Sequence, residues 1–128
     1  VNEIDEDNIH KYGVIQPGSI EKNLIEVKGI VEKPIANEAP SNIAVCGRYI
    51  LNSSIFNYLD EVNPDKSGEI QLTDAIKLML EKEKVIACIY QGEKFDCGSK
   101  LGFVEATLAI SLRDNDIGHE IKNLIKKL

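Results

Sequence analysis

The chain holds 128 residues, with 15 basic and 21 acidic side chains and a formal charge of −6. That balance argues against a nucleic-acid backbone as the main partner, because phosphate binding relies on clustered Lys and Arg. With 43% hydrophobic and 28% charged residues the composition is globular, which predicts one domain with a packed core rather than a disordered tract or a disulfide-stapled miniprotein.

From the N-terminus, Val1 to Asp7 is acidic and lacks the charged-then-apolar pattern of a secretory signal. The first residue is Val rather than Met, which fits a processed product or a piece of something longer. Residues 11–16 and 24–31 read as strands, the second with Ile25, Val27, Gly29 and Val31 on one parity. Gln16-Pro17-Gly18-Ser19 between them is a turn signal. Residues 43–51 read as a strand buried on both faces, in which Arg48 needs a partner.

Helical spacing then takes over. Ile55, Phe56, Leu59 and Val62 repeat after the potential caps Ser53 and Ser54, and Asn63-Pro64 closes the segment. Leu72, Ala75, Ile76, Met79 and Leu80 form an amphipathic stripe with Thr73 placed to cap it. Val85 to Tyr90 reads as a buried strand; as the longest apolar run it is far short of the roughly 20 residues that span a bilayer, so no membrane partner is expected. Ser99 caps a helix to about Arg113, and Ile117, Ile121, Leu124, Ile125 and Leu128 mark a terminal one. Helices covering a sheet define an α/β unit.

Cys46, Cys88 and Cys97 lack a C-x-x-C pair and read as buried thiols of a reducing, cytoplasmic setting. His10 and His119 are too isolated for a structural zinc site.

Three short segments carry chemistry. Asn63, Asp65, Ser67, Gly68, Ile70 and Asp74 fall at positions 1, 3, 5, 6, 8 and 12 of a calcium-binding EF-hand loop. Position 1 lacks a carboxylate, position 12 carries Asp in place of the bidentate Glu, and the neighbouring strands do not belong to a helical EF-hand; the alternative is a Gly-containing turn before a helix. Val31-Glu32-Lys33-Pro34 ends a strand with an acid, a base and a ladder-breaking proline. Adjacent residues of a regular strand face opposite ways, so Glu32 and Lys33 either form a solvated strand-end pair or share a ligand where the strand bends. Asp96 lies between a strand and a helix, as a turn residue or as a metal or phosphate locus.

Six ordered motifs then connect these segments: Tyr12-Gly13-Val14-Ile15, Val31-Glu32-Lys33-Pro34, Ala39-Pro40-Ser41-Asn42, Val45-Cys46-Gly47-Arg48-Tyr49, Gly68 to Ala75, and Asp96 to Gly102. The order resembles the C-terminal half of the bacterial UTP–glucose-1-phosphate uridylyltransferase family, from about Lys11 to the end. The resemblance implies an α/β fold, the sugar-binding part of a nucleotide-diphospho-sugar transferase with a mixed sheet flanked by helices. Residues 1–128 would form a single sugar-phosphate-binding part, without the N-terminal nucleotide-binding part. The family's Gly-rich, Arg-containing nucleotide loop and its mid-chain metal-binding Asp have no counterpart here.

In such enzymes a sugar 1-phosphate oxygen attacks the α-phosphorus of UTP in line and pyrophosphate leaves, with positioning and charge neutralisation supplying catalysis. By resemblance, Glu32 accepts bonds from glucose hydroxyls, and Gly13 and Val45 offer main-chain groups to the sugar. Lys33 binds the sugar phosphate, and Asp96 is a magnesium ligand; Lys33 and Asp96 are the catalytic pair. Arg48 stays undecided between a site role and a buried ion pair. The full-length enzyme would take UTP and glucose 1-phosphate with magnesium and form a homo-oligomer, whereas the isolated chain is expected to be inactive. The competing classes are a non-catalytic acidic interaction domain and a single EF-hand-like calcium-binding module.

Overall fold

The computed structural model describes residues 1–128, in two compact units: Val1–Tyr90 and Gln91–Leu128. In the first unit the strands are β1 (Asn2–Glu3), β2 (Gly13–Glu21), β3 (Leu24–Glu32), β4 (Ile43–Ala44) and β5 (Ile86–Cys88). They form one sheet in the order β1-β4-β2-β3-β5, and every pairing is antiparallel. Helices α1 (Ile55–Glu61) and α2 (Leu72–Met79) complete the unit. The α/β class inferred from the sequence holds, but the expected mixed sheet is corrected to a wholly antiparallel one.

The β2–β3 hairpin differs from its predicted form in one consequential way. Gln16-Pro17-Gly18-Ser19 is not a turn but lies within β2, and the chain reverses later, between the paired residues Glu21 and Leu24. Proline is tolerated there because the ladder is already irregular. From Gln16↔Gly29 to Pro17↔Val27 the partner advances two residues for one, so Lys28 is extra in β3. From Pro17↔Val27 to Ile20↔Ile25 the extra residue falls in β2.

Each such bulge reverses the facing of the residues beyond it. Ile25 and Val27 point into the core, and beyond Lys28 the buried residue is Ile30 at 4% exposure, while Val31 is 42% exposed. The predicted single parity of Ile25, Val27, Gly29 and Val31 is thereby corrected. Glu32 consequently falls in step with Ile30.

The core joins Ile15 of β2 and Ile25, Val27 and Ile30 of β3 to Ile55 and Tyr58 of α1 and Ala75, Ile76 and Met79 of α2. The stripe predicted for α2 is the face that packs on β3, with α1 against α2. Two strand predictions shorten. Residues 43–51 contribute only Ile43–Ala44 to the sheet; Arg48 and Ile50 beyond them are exposed, so Arg48 has no burial to offset. Of residues 85–90, only Ile86–Cys88 pair, at the sheet edge, and Ala87 alone of the three is buried. The thiols are free, but Cys88 and Cys97 are exposed and Cys46 is half-buried. An edge strand and a polar turn do not enclose a side chain as a central strand does.

In the second unit, α3 (Lys100–Arg113) starts as its sequence predicts, with the Ser99 hydroxyl oxygen accepting from the Gly102 N–H at 3.0 Å. Asp114 ends it, and its carboxylate accepts from the N–H groups of Asp116 and Ile117 on the way into α4 (Gly118–Ile125). Arg113 forms an ion pair with Glu93. No helix in either unit is long and apolar enough to cross a membrane.

Ser54 does not cap α1. Its hydroxyl donates to Glu83 at 2.8 Å, and Glu83 also accepts from Asn52 and Tyr58. The hydrogen bonds from Ser54 and then Asn52 hold the Glu83 carboxyl below its ordinary value of 4.5. A carboxylate with a depressed folded-state pKa gives its stabilisation fully above the unfolded value and loses it as pH falls through the folded one. Glu83→Gln is therefore expected to lower stability at pH 7, the gap to the parent closing as pH drops below about 4.5. Urea unfolding between pH 7 and pH 3 checks this, and a gap that stays constant with pH refutes it.

Candidate functional site

The end of β3 meets the start of α2 across the start of β2. Gly13 pairs with Glu32, and its carbonyl accepts from the Val45 N–H at 2.9 Å. A Cβ on Gly13 would lie 3.0 Å from Glu32 Oε2, 3.2 Å from Val45 Cγ2 and 3.4 Å from Thr73 Oγ1, so these three side chains close over the glycine. The Val45 N–H is spent on the sheet, which leaves its carbonyl as the main-chain group available to a ligand.

Glu32 is half-buried, and its Oε2 accepts from the Thr73 hydroxyl at 2.5 Å. Lys33 has a φ of +44°, a left-handed conformation that a lysine adopts against its preference. That turn breaks strand alternation and brings the Lys33 ammonium to 3.9 Å from Glu32 Oε1, on the same side. The separation is too long for a hydrogen bond, so the ammonium keeps its donors for another acceptor. With Lys33 more than half exposed, the pair is a weak source of stability.

A cleft of about 390 Å³ opens beside these groups, lined by Glu32, Lys33, Asp65, Gln71, Asp74 and Lys77 among others.

The loop 63–71 has the spacing of a calcium site and a different use. Asp65 Oδ1 accepts from the Ser67 N–H at 2.7 Å, the Ser67 hydroxyl at 2.6 Å and the Glu69 N–H at 3.1 Å. Its Oδ2 accepts from Gln71 Nε2 at 2.7 Å. These bonds, Ser67 and Gln71 foremost, hold the Asp65 carboxyl well below the usual carboxylate range. Asp65 is engaged by its own loop, and no three His, Cys, Asp or Glu side chains converge there to hold an ion, so the segment reads as a turn leading into α2 and not as an EF-hand. The melting temperature of the chain is expected to be the same in millimolar calcium and in excess chelator. A saturable rise with calcium that is lost in Asp65→Ala would reverse this.

Asp96 belongs to the second unit, in the exposed turn before α3. Its Oδ1 accepts from the Gly98 N–H at 3.0 Å, and its carbonyl accepts from Ser99. A Cβ on Gly102 would overlap the Asp96 carbonyl oxygen, so the first turn of α3 packs directly on this residue. No group of three or more His, Cys, Asp or Glu converges into a metal cage. What the chain offers a cation at Asp96 is a single hard carboxylate, which fits magnesium, an ion that takes one or two carboxylates together with substrate phosphates.

Gly13, Glu32, Lys33 and Val45 thus come together in the first unit, and Asp96 stands in the second. Thr73 joins this group in a role that sequence reasoning did not give it. Thr73 was expected to cap α2, yet Gln71 stands at the cap position and the Thr73 hydroxyl turns to Glu32.

Residues 2–112 match the model of the family described as nucleotidyl transferase. The chain belongs to that family. It is similar over all its residues to UTP–glucose-1-phosphate uridylyltransferase of Staphylococcus epidermidis, at 44% identity, and to UTP–glucose-1-phosphate uridylyltransferase 2 of Staphylococcus saprophyticus, at 43%. In both cases it spans 44% of the relative's length. Among solved structures, UDP-glucose pyrophosphorylase complexed with UDP-glucose matches with a TM-score of 0.83 and 42% identity, over 88% of this chain and 43% of that one. A UTP-bound UGPase from Acinetobacter baumannii matches with a TM-score of 0.83 and 38% identity, over 99% and 44%.

Proposed function

We propose that this chain is the C-terminal, sugar-phosphate-binding part of a cytoplasmic UTP–glucose-1-phosphate uridylyltransferase, which makes UDP-glucose and pyrophosphate from UTP and glucose 1-phosphate. The observation that carries the reading is the placement of the Glu32 carboxylate over Gly13 with the Lys33 ammonium 3.9 Å from its other oxygen, in a chain whose relatives bear that name. A sugar 1-phosphate presents hydroxyl donors at one end and an anion at the other. Glu32 accepts from the hydroxyls and Lys33 meets the phosphate as a compact cation, while Gly13, whose Cβ space is filled by Glu32, Val45 and Thr73, lets the Glu32 carboxylate settle close against the sheet.

Held in this way, the phosphate oxygen is the nucleophile in an in-line displacement, and no covalent intermediate on the protein is needed. Asp96 would hold magnesium, which when bound neutralises charge on the phosphoryl oxygens. The exposed apolar residues Leu101, Phe103 and Val104 of α3 support self-association.

Two experiments test the reading. In the full-length protein, Lys33→Ala should raise the KM for glucose 1-phosphate by about 10- to 100-fold and leave that for UTP unchanged, because a charge-assisted hydrogen bond is worth about 1.5–3 kcal/mol. Asp96→Ala should lower kcat by orders of magnitude, with no rescue by added sugar phosphate. Wild-type constants in both variants would end the assignment. The chain of 128 residues alone, which has no Gly-rich nucleotide loop, should release no pyrophosphate from UTP and glucose 1-phosphate and should sediment as more than a monomer. Release above a no-protein blank, or a strictly monomeric species at high concentration, would count against the corresponding half of that expectation.

A further inference from the structure

We propose that Thr73 is the positioning residue for Glu32: its hydroxyl holds one carboxylate oxygen and thereby fixes which oxygen faces the ligand and keeps the carboxylate off Lys33. The inference rests on the reading of Glu32 as the sugar acceptor and goes beyond it to the group that sets Glu32.

A threonine hydroxyl has one proton, and a carboxylate only accepts, so in the 2.5 Å contact Thr73 is the donor and Glu32 Oε2 the acceptor. Thr73 is a polar side chain buried to 5% exposure, and Ala75 and Ile76 of the same helix lie in the core, so α2 gives it a rigid base. As a β-branched residue it has few rotamers through which to lose the contact.

On the other side, the space above Gly13 is already taken by Glu32 Oε2, Val45 and Thr73. Oε2 is thus tied to α2, and Oε1 is left toward Lys33, 3.9 Å away. If the hydroxyl were removed, the carboxylate could rotate to close that gap into a direct ion pair. Such a pair would occupy both the acceptor meant for the sugar and the cation meant for its phosphate. Thr73 therefore acts on two contacts to the ligand while touching neither.

The test uses four single variants and one double variant of the full-length protein, with glucose 1-phosphate and UTP varied in turn. Thr73→Val keeps the shape and removes the hydroxyl, Thr73→Ala removes it without risk of overpacking, and Thr73→Ser retains it. Glu32→Gln reports on the acceptor itself. Both hydroxyl-free variants should raise the KM for glucose 1-phosphate about 10-fold, with kcat within about threefold and the KM for UTP unchanged, as expected for lost ground-state positioning of one substrate. Thr73→Ser should stay near the parent. In the Glu32→Gln background the Thr73→Val effect should vanish, since a neutral amide forms no ion pair with Lys33 when the hydroxyl is gone.

A Thr73→Val or Thr73→Ala enzyme with parent-like sugar-phosphate kinetics, while Glu32→Gln is impaired, overturns the positioning role alone. Parent-like kinetics of Glu32→Gln overturns the underlying reading of the site. A parallel change in kcat and both KM values with a lower melting temperature, not restored by Thr73→Ser, marks Thr73 as merely structural and also overturns the proposal. If Thr73→Val does not fold, Thr73→Ala decides by the same criteria.

Discussion

The extra residue in β3 governs what this chain presents to a ligand. A strand shows alternate residues to alternate faces, so an uninterrupted β3 with Ile25 and Val27 inward would send Glu32 to the opposite face. Lys28 is unpaired against β2, and beyond it Ile30 takes the inward position, followed two residues later by Glu32. The carboxylate thus arrives beneath α2, next to Thr73, and not in open solvent. A compensating extra residue in β2 restores the pairing toward the hairpin end. The positive φ of Lys33 makes a second reversal immediately after, so neighbours in sequence become neighbours on one side.

Helices were the more legible part of the sequence, for a physical reason. The stripe of Leu72, Ala75, Ile76 and Met79 and the Ser99 cap of α3 are local signals, read within a turn or two of the residues that produce them. The strands depend on partners far along the chain. Gln16-Pro17-Gly18-Ser19 has turn composition, but pairing with β3 draws it into β2. Residues 46–51 have strand composition but form no ladder, and the segment leaves the sheet after the Val45 N–H bonds to Gly13. Composition stated what these segments prefer, and long-range pairing decided what they became.

The candidate site divides along the same line. Glu32 and Lys33 were legible locally only as a strand-end acid and base, and Gly13 only through the family resemblance, while their convergence required the bulge and the left-handed lysine, neither of which has a sequence signature here. Thr73 was misread because threonine near a helix start is an ordinary cap, and only the fold shows that a carboxylate from 41 residues away claims the hydroxyl. The calcium-like loop went the other way: its spacing was legible and its use was not, since Asp65 turns inward onto Ser67, Glu69 and Gln71.

The contact between Gly102 and Asp96 has a mechanical meaning. With no Cβ at position 102, the backbone of the first turn of α3 rests against the carbonyl of Asp96, while Ser99 and Gly98 bond to that same residue. The carboxylate is therefore coupled to the helix as the tip of a lever is to its arm. Any side chain at position 102 would have to break this joint, which makes the smallest residue in α3 the one least able to change.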